Sequence, residues 1–142
     1  MIKDKDIKNV YFIDSRKDVR PLLKAMDIYV CSSNNEASPL SVWEAMSMEK
    51  AIVSTDVGDV GRFIHDGVNG FIVEKEDADT LADRVTKLIE RPQLRHDFGK
   101  SARAVAKSKL DLKICAHLHA EAYQAIVLQS AKRKFLWRCN SN

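Results

Sequence analysis

The 142 residues are 45% hydrophobic and 30% charged, with a formal charge of +3; that composition is enough for one domain with a real core and argues against disorder. Much of the positive excess sits in Lys132, Arg133, Lys134 and Arg138, so the body of the chain does not read as a nucleic-acid binder. No run approaches the roughly 18 apolar residues of a membrane span, and MIKDKDIKNV has no signal-peptide core, which sets a cytoplasmic expectation.

Val10 to Ile13 is a short continuous apolar run, rich in β-branched and aromatic residues, and predicts a buried strand. Asp18 can cap the helix that follows, in which Val19, Leu22, Leu23 and Met26 recur at helical spacing and Pro21 sits in the first turn. Ile28 to Cys31 predicts a second strand, opening into the polar loop Ser32 to Ser38. Leu40, Val42, Trp43, Ala45, Met46 and Met48 mark a mostly apolar helix, and Ala51 to Ser54 a third strand. None of these strands alternates cleanly with polar residues, which favours a parallel sheet covered on both faces. Alternation of strand and helix gives the fold class: α/β, a Rossmann-like parallel sheet with flanking helices.

DGVNG at 66–70 reads as a tight turn before a short strand, Phe71 to Val73. Asp77 to Glu90 predicts a helix with Leu81, Val85, Leu88 and Ile89 on one face. Pro92 starts another helix, through about Lys107, and Asp111 caps a last one striped by Leu112, Cys115, Leu118, Ala122 and Ile126. The chain therefore divides into a domain at 1–130 and a basic, aromatic tail at 131–142. Cys31 and Cys115, without CxxC spacing, read as small core side chains. A sheet this small needs its edges covered, which predicts pairing with further polypeptide or self-association.

The chemistry concentrates in SSNNEASPLSVWEAM at 32–46. The first turn of the helix, predicted over Ser38 to Val42, exposes amides without intrahelical partners and so suits a phosphate, with no Lys or Arg between Cys31 and Glu49. Glu36 stands beside that turn and Glu44 farther along the helix, and a carboxylate can hold two adjacent sugar hydroxyls. The plainer reading makes Glu36 a surface loop residue and Glu44 an exposed helix residue. His65, His96, His117 and His119 do not form a metal-ligand pattern, and no metal site is expected. A dinucleotide-dependent or flavodoxin-like protein is disfavoured, because no phosphate loop follows the first predicted strand.

Residues 9–127 resemble the second domain of the retaining GT-B glycosyltransferases of family 4. The resemblance is carried by Asp27, Ser32 or Ser33, Glu36 and Glu44-Ala45-Met46, then Thr55-Asp56-Val57-Gly58 and Asp66-Gly67-Val68-Asn69-Gly70. It implies that Glu36 contacts the donor sugar near its reacting carbon, that Glu44 grips the nucleotide ribose, and that Pro39, Leu40 and Ser41 form the diphosphate-binding turn. The implied activity is hexosyl transfer, with retention, from a UDP- or GDP-hexose to a glycan or lipid-linked acceptor, with no tightly bound cofactor. The sequence departs from the family pattern at Ala37, Glu49 and Ala51, and at Gly58-Asp59-Val60-Gly61-Arg62, where an acidic residue is lost. The acceptor domain and the basic diphosphate ligands of the family are not found before Asn9, so this chain alone is expected to be inactive. The rival expectation is a non-catalytic, self-associating assembly module. Peripheral contact of the basic tail with an anionic membrane is a further expectation.

Overall fold

A computed structural model describes the backbone of residues 9–139 and the side chains of residues 9–129. Its centre is a parallel sheet of three strands in the order β1-β2-β3: β1 at Ile28–Cys31, β2 at Ala51–Thr55 and β3 at Phe71–Val73. Ile28 lies opposite Ala51 and Cys31 opposite Ser54, while Val53 lies opposite Phe71. All five β2 residues are buried. Ile52 points into one apolar layer with Val42, Met46, Ile64 and Ala102, whereas Ala51 and Val53 point into the other with Phe71, Leu88 and Phe98. A strand covered on both faces has no reason to alternate polar residues, which accounts for its continuous apolar run.

The helices are α1 (Arg20–Ala25), α2 (Leu40–Ser47), α3 (Ala78–Glu90), α4 (Pro92–Lys109) and α5 (Leu112–Cys139). Asp18 accepts the amide and the guanidinium of Arg20 at the start of α1. Asp77 caps α3 by accepting from Thr80 N. Basic side chains close several helix ends: Lys50 Nζ donates to Lys24 O and Met26 O after α1, Arg103 to Ser47 O after α2, and Arg95 to Leu88 O in α3. Gly99 lets α4 approach the turn before β2, where a Cβ on it would lie 2.2 Å from Glu49 O. The DGVNG turn forms as expected, with Gly67 at φ +73° and Gly67 N donating to Gly70 O. Buried Asn69 closes it, accepting from His65 N and donating to Phe63 O.

Three expectations are corrected. Val10 to Ile13 is not a strand: residues 9–19 form no helix or strand, and Tyr11 and Phe12 are more than four-fifths exposed. A strand is defined by its hydrogen-bonded neighbours, and among the described residues β1 pairs only with β2, leaving its other edge to no partner. The apolar stripe of α5 is not buried either; Leu112, Leu118 and Ile126 are exposed and only Cys115 is half-buried. That helix also runs unbroken past Ser130 to Cys139. Lastly, α2 starts at Leu40 rather than Ser38, since Pro39 is its extended N-cap. Among the described residues no helix is long and apolar enough to cross a membrane.

Candidate functional site

The parallel sheet brings the C-terminal ends of β1 and β2 side by side, and the loop 32–38 leaves β1 over that edge. Four contacts fasten the loop, the longest being the 3.5 Å bond from Asn34 Nδ2 to Glu76 Oε1. The Thr55 hydroxyl, at the end of β2, donates to Ser33 O at 2.6 Å. Asp59 N donates to Ala37 O at 3.1 Å, and Gly58, at φ +53°, lies flat against the Glu36–Ala37 peptide. Trp43 Nε1 reaches back from α2 to Ser38 Oγ at 3.1 Å. Within the loop, Ser33 Oγ donates to Glu36 Oε1 at 3.1 Å, which orients an otherwise exposed carboxylate.

The start of α2 is open. Val42 N and Trp43 N both turn to Pro39 O, and Ala37 O is taken by Asp59 N. The amides of Leu40 and Ser41 therefore have no carbonyl behind them in the helix, and no side chain caps this end. The first turn carries no acidic residue to repel an anion. Pro39 is buried and sets the entry angle, while Leu40 and Ser41 are exposed at the mouth. Glu44 lies one turn on, exposed, on the wall of a groove of about 420 Å³ between α1 and α2 that is otherwise lined mainly by Val19, Leu23, Leu40 and Trp43.

Tyr29 is half-buried near this turn. Its side chain comes from β1 onto the α2 face of the sheet, packed against the main apolar layer. Burial pushes its phenol above the usual tyrosine range; the Ser41 side chain nearby offsets part of the rise, and Cys31, Glu44 and Glu36 add smaller upward pushes. On the opposite face of the sheet, Ser32, Asn34, Thr55, Glu76 and Asp77 line a smaller pocket of about 150 Å³. Asp59 Oδ1 is buried with no hydrogen-bond partner, close to the loop that its own amide holds.

Motif reading singled out Glu36, Pro39, Leu40, Ser41 and Glu44, and the structure places all five along the loop and first turns of α2. Sequence reasoning gave no role to Tyr29, Trp43 or Asp59. Trp43 looked like one more apolar helix position, and only its indole N–H hinted at a polar task. Among the described residues no group of three or more His, Cys, Asp or Glu side chains could hold a metal ion.

Residues 1–105 match the family described as "Glycosyl transferases group 1". The chain belongs to this family. It is 30% identical over 118 residues to the N,N'-diacetylbacillosaminyl-diphospho-undecaprenol alpha-1,3-N-acetylgalactosaminyltransferase of Campylobacter jejuni, a match over 83% of this chain and 31% of that protein. Anabaena Alr3699/HepE, solved in complex with UDP-glucose, superposes with a TM-score of 0.82 at 26% identity, over 87% of this chain and 35% of that one. The C-terminal domain of the group 1 glycosyl transferase LpcC from Francisella tularensis gives a TM-score of 0.65 at 28% identity, over 72% of this chain and 53% of that one. The fold is therefore the Rossmann-like α/β architecture of GT-B glycosyltransferases that use nucleotide-sugars. The chain spans about a third or less of the length of the curated relatives it matches.

Proposed function

We propose that this chain is the nucleotide-sugar-binding part of a retaining glycosyltransferase, corresponding to the C-terminal domain of the GT-B fold. The observation that carries this reading is the uncapped start of α2, with the Leu40 and Ser41 amides open and a carboxylate on either side at Glu36 and Glu44. A nucleoside diphosphate-hexose spans such a site end to end. Its diphosphate takes the two amides and the helix dipole; Glu44 accepts from the ribose hydroxyls and Glu36 from the hexose. The groove beside Glu44 leaves room for the base. Charge developing on the departing diphosphate is stabilised by amides that are already in place, so little reorganisation is needed. Support comes from the similarity to the UDP-glucose complex of Alr3699/HepE and to the C-terminal domain of LpcC.

The donor is a UDP- or GDP-hexose and the acceptor a glycan or lipid-linked glycan. Holding donor and acceptor in register needs more surface than this domain offers, so the chain by itself binds its nucleotide weakly and shows no transfer. The test is an NMR titration with UDP, GDP and their hexose conjugates, with Glu44→Ala alongside. Saturable shifts at residues 36–44 that vanish in the variant are expected. Silence up to millimolar ligand from the folded chain would sink the donor-site reading.

A second reading, a self-associating assembly module, is favoured by the exposed apolar side chains Leu112, Leu118, Tyr123, Ile126, Val127 and Leu128 on α5 and by the edge of β1, which no strand covers among the described residues. It predicts a dimer in sedimentation whose formation is indifferent to Glu36 and Glu44. Contact of the basic tail with an anionic membrane is likewise a proposal, tested by vesicle binding with and without truncation at Ser130.

A further inference from the structure

We propose that the Thr55 hydroxyl is a positioning group for Glu36, acting through Ser33 from the neighbouring strand. This rests on the donor-site reading of Glu36 and adds to it the residue that sets where that carboxylate points. Thr55 is the last residue of β2 and only 3% exposed. It donates to Ser33 O at 2.6 Å, with Cys31 O a distant alternative at 3.4 Å. One proton can serve one acceptor well, and the geometry favours Ser33.

Pinning the Ser33 carbonyl fixes that residue's backbone, and with it the origin of the Ser33 side chain. Ser33 Oγ then donates to Glu36 Oε1 at 3.1 Å. The relay therefore runs Thr55 to Ser33 to Glu36, across 22 residues of sequence in its first step. The far end of the loop is held separately, by the Asp59 amide on Ala37 O and by Trp43 on Ser38. Without Thr55, the near end of the loop keeps only the long 3.5 Å bond from Asn34 Nδ2 to Glu76 Oε1, while the far end keeps its two anchors. The carboxylate then samples directions other than the one the Ser33 hydroxyl holds, and a site loose by an ångström loses most of its positioning advantage.

The test uses the full chain in three forms: wild type, Thr55→Val, which keeps the shape and removes the hydroxyl, and Thr55→Ser, which restores it. Amide shifts and heteronuclear NOE values are read first, without ligand. Thr55→Val is expected to move the signals of residues 33–37 and lower their NOE values, leaving α3 and α4 unchanged, while Thr55→Ser overlays the wild type in that loop. A loop unchanged in Thr55→Val overturns the proposal, as does a change spread evenly through the domain. Titration with UDP-glucose and with UDP follows. The ratio of the two affinities should fall toward one in Thr55→Val and in Glu36→Gln, and stay within twofold of wild type in Thr55→Ser. If the loop loosens as expected but the wild type prefers neither ligand, the relay stands and the donor role of Glu36 falls.

Discussion

Replacing Gly58 by alanine tests how tightly the donor loop is clamped. Gly58 stands at φ +53°, a region that costs an L-residue ~1–2 kcal/mol. A Cβ added there would lie 2.1 Å from Ala37 O and 2.6 Å from Glu36 O, inside any tolerable contact. Relief requires the loop backbone to move by about an ångström, a strain comparable to core overpacking at ~1–3 kcal/mol. The same movement stretches the 3.1 Å bond from Asp59 N to Ala37 O, worth ~1 kcal/mol. Together these put Gly58→Ala about 3–6 kcal/mol below wild type. Gly67→Ala is the internal control, because Gly67 has the same backbone hand at φ +73° but nothing within 4 Å of its added Cβ. It should lose only the conformational share, ~1–2 kcal/mol. Urea unfolding followed by circular dichroism measures both, and the midpoint of Gly58→Ala should fall well below that of Gly67→Ala. Equal midpoints would refute the clamp, since steric contact with the loop is the only feature that separates the two glycines here.

Gly99→Ala sets helix propensity against packing. Alanine gains ~1 kcal/mol within a helix, yet its Cβ would lie 2.2 Å from Glu49 O. A lowered melting temperature is expected, and a raised one would mean that α4 can shift freely off the turn before β2. The acid side of the stability profile should reflect Asp18 and Asp77. The Arg20 side chain and amide hold Asp18 at about 2, below the 3.8 of a free carboxyl, and Thr80 lowers Asp77 in the same direction. Both folded-state values are depressed, so their contribution is present above pH ~4 and is lost as pH falls through the folded values. Asp18→Asn should flatten the decline in stability between about pH 4 and 2, and Asp77→Asn should flatten it on the acid side as well; an unchanged slope in urea titrations at stepped pH would count against these pairings.

The parallel α/β class was legible because it depends on patterns internal to each segment. Continuous apolar runs at 28–31, 51–53 and 71–73 predict strands covered on both faces, as β2 is, although Val30 of β1 is exposed; the helices between them carry their own periodicity and caps. The ordered spacing from Glu36 to Glu44 and the DGVNG turn were equally local, so the family resemblance could be drawn from residue order alone. Val10 to Ile13 shows the limit of such patterns. Its residues suit a strand, but pairing is supplied by a neighbour, and no neighbour takes it up among the described residues. The periodic apolar face of α5 was legible too, whereas its exposure depends on what packs against it.

The site divides along the same line. Order in the chain placed Glu36, Leu40, Ser41 and Glu44 on one loop and one helix. Only tertiary structure decided what holds that loop: the Thr55 hydroxyl on Ser33 and the Gly58–Asp59 backbone against Glu36 and Ala37, each reaching across more than 20 residues. Such bonds leave no period in the sequence, because they depend on two strand ends being brought level by the register of the sheet. That register sets Cys31 against Ser54, and so delivers Thr55 beneath the loop that carries the carboxylate.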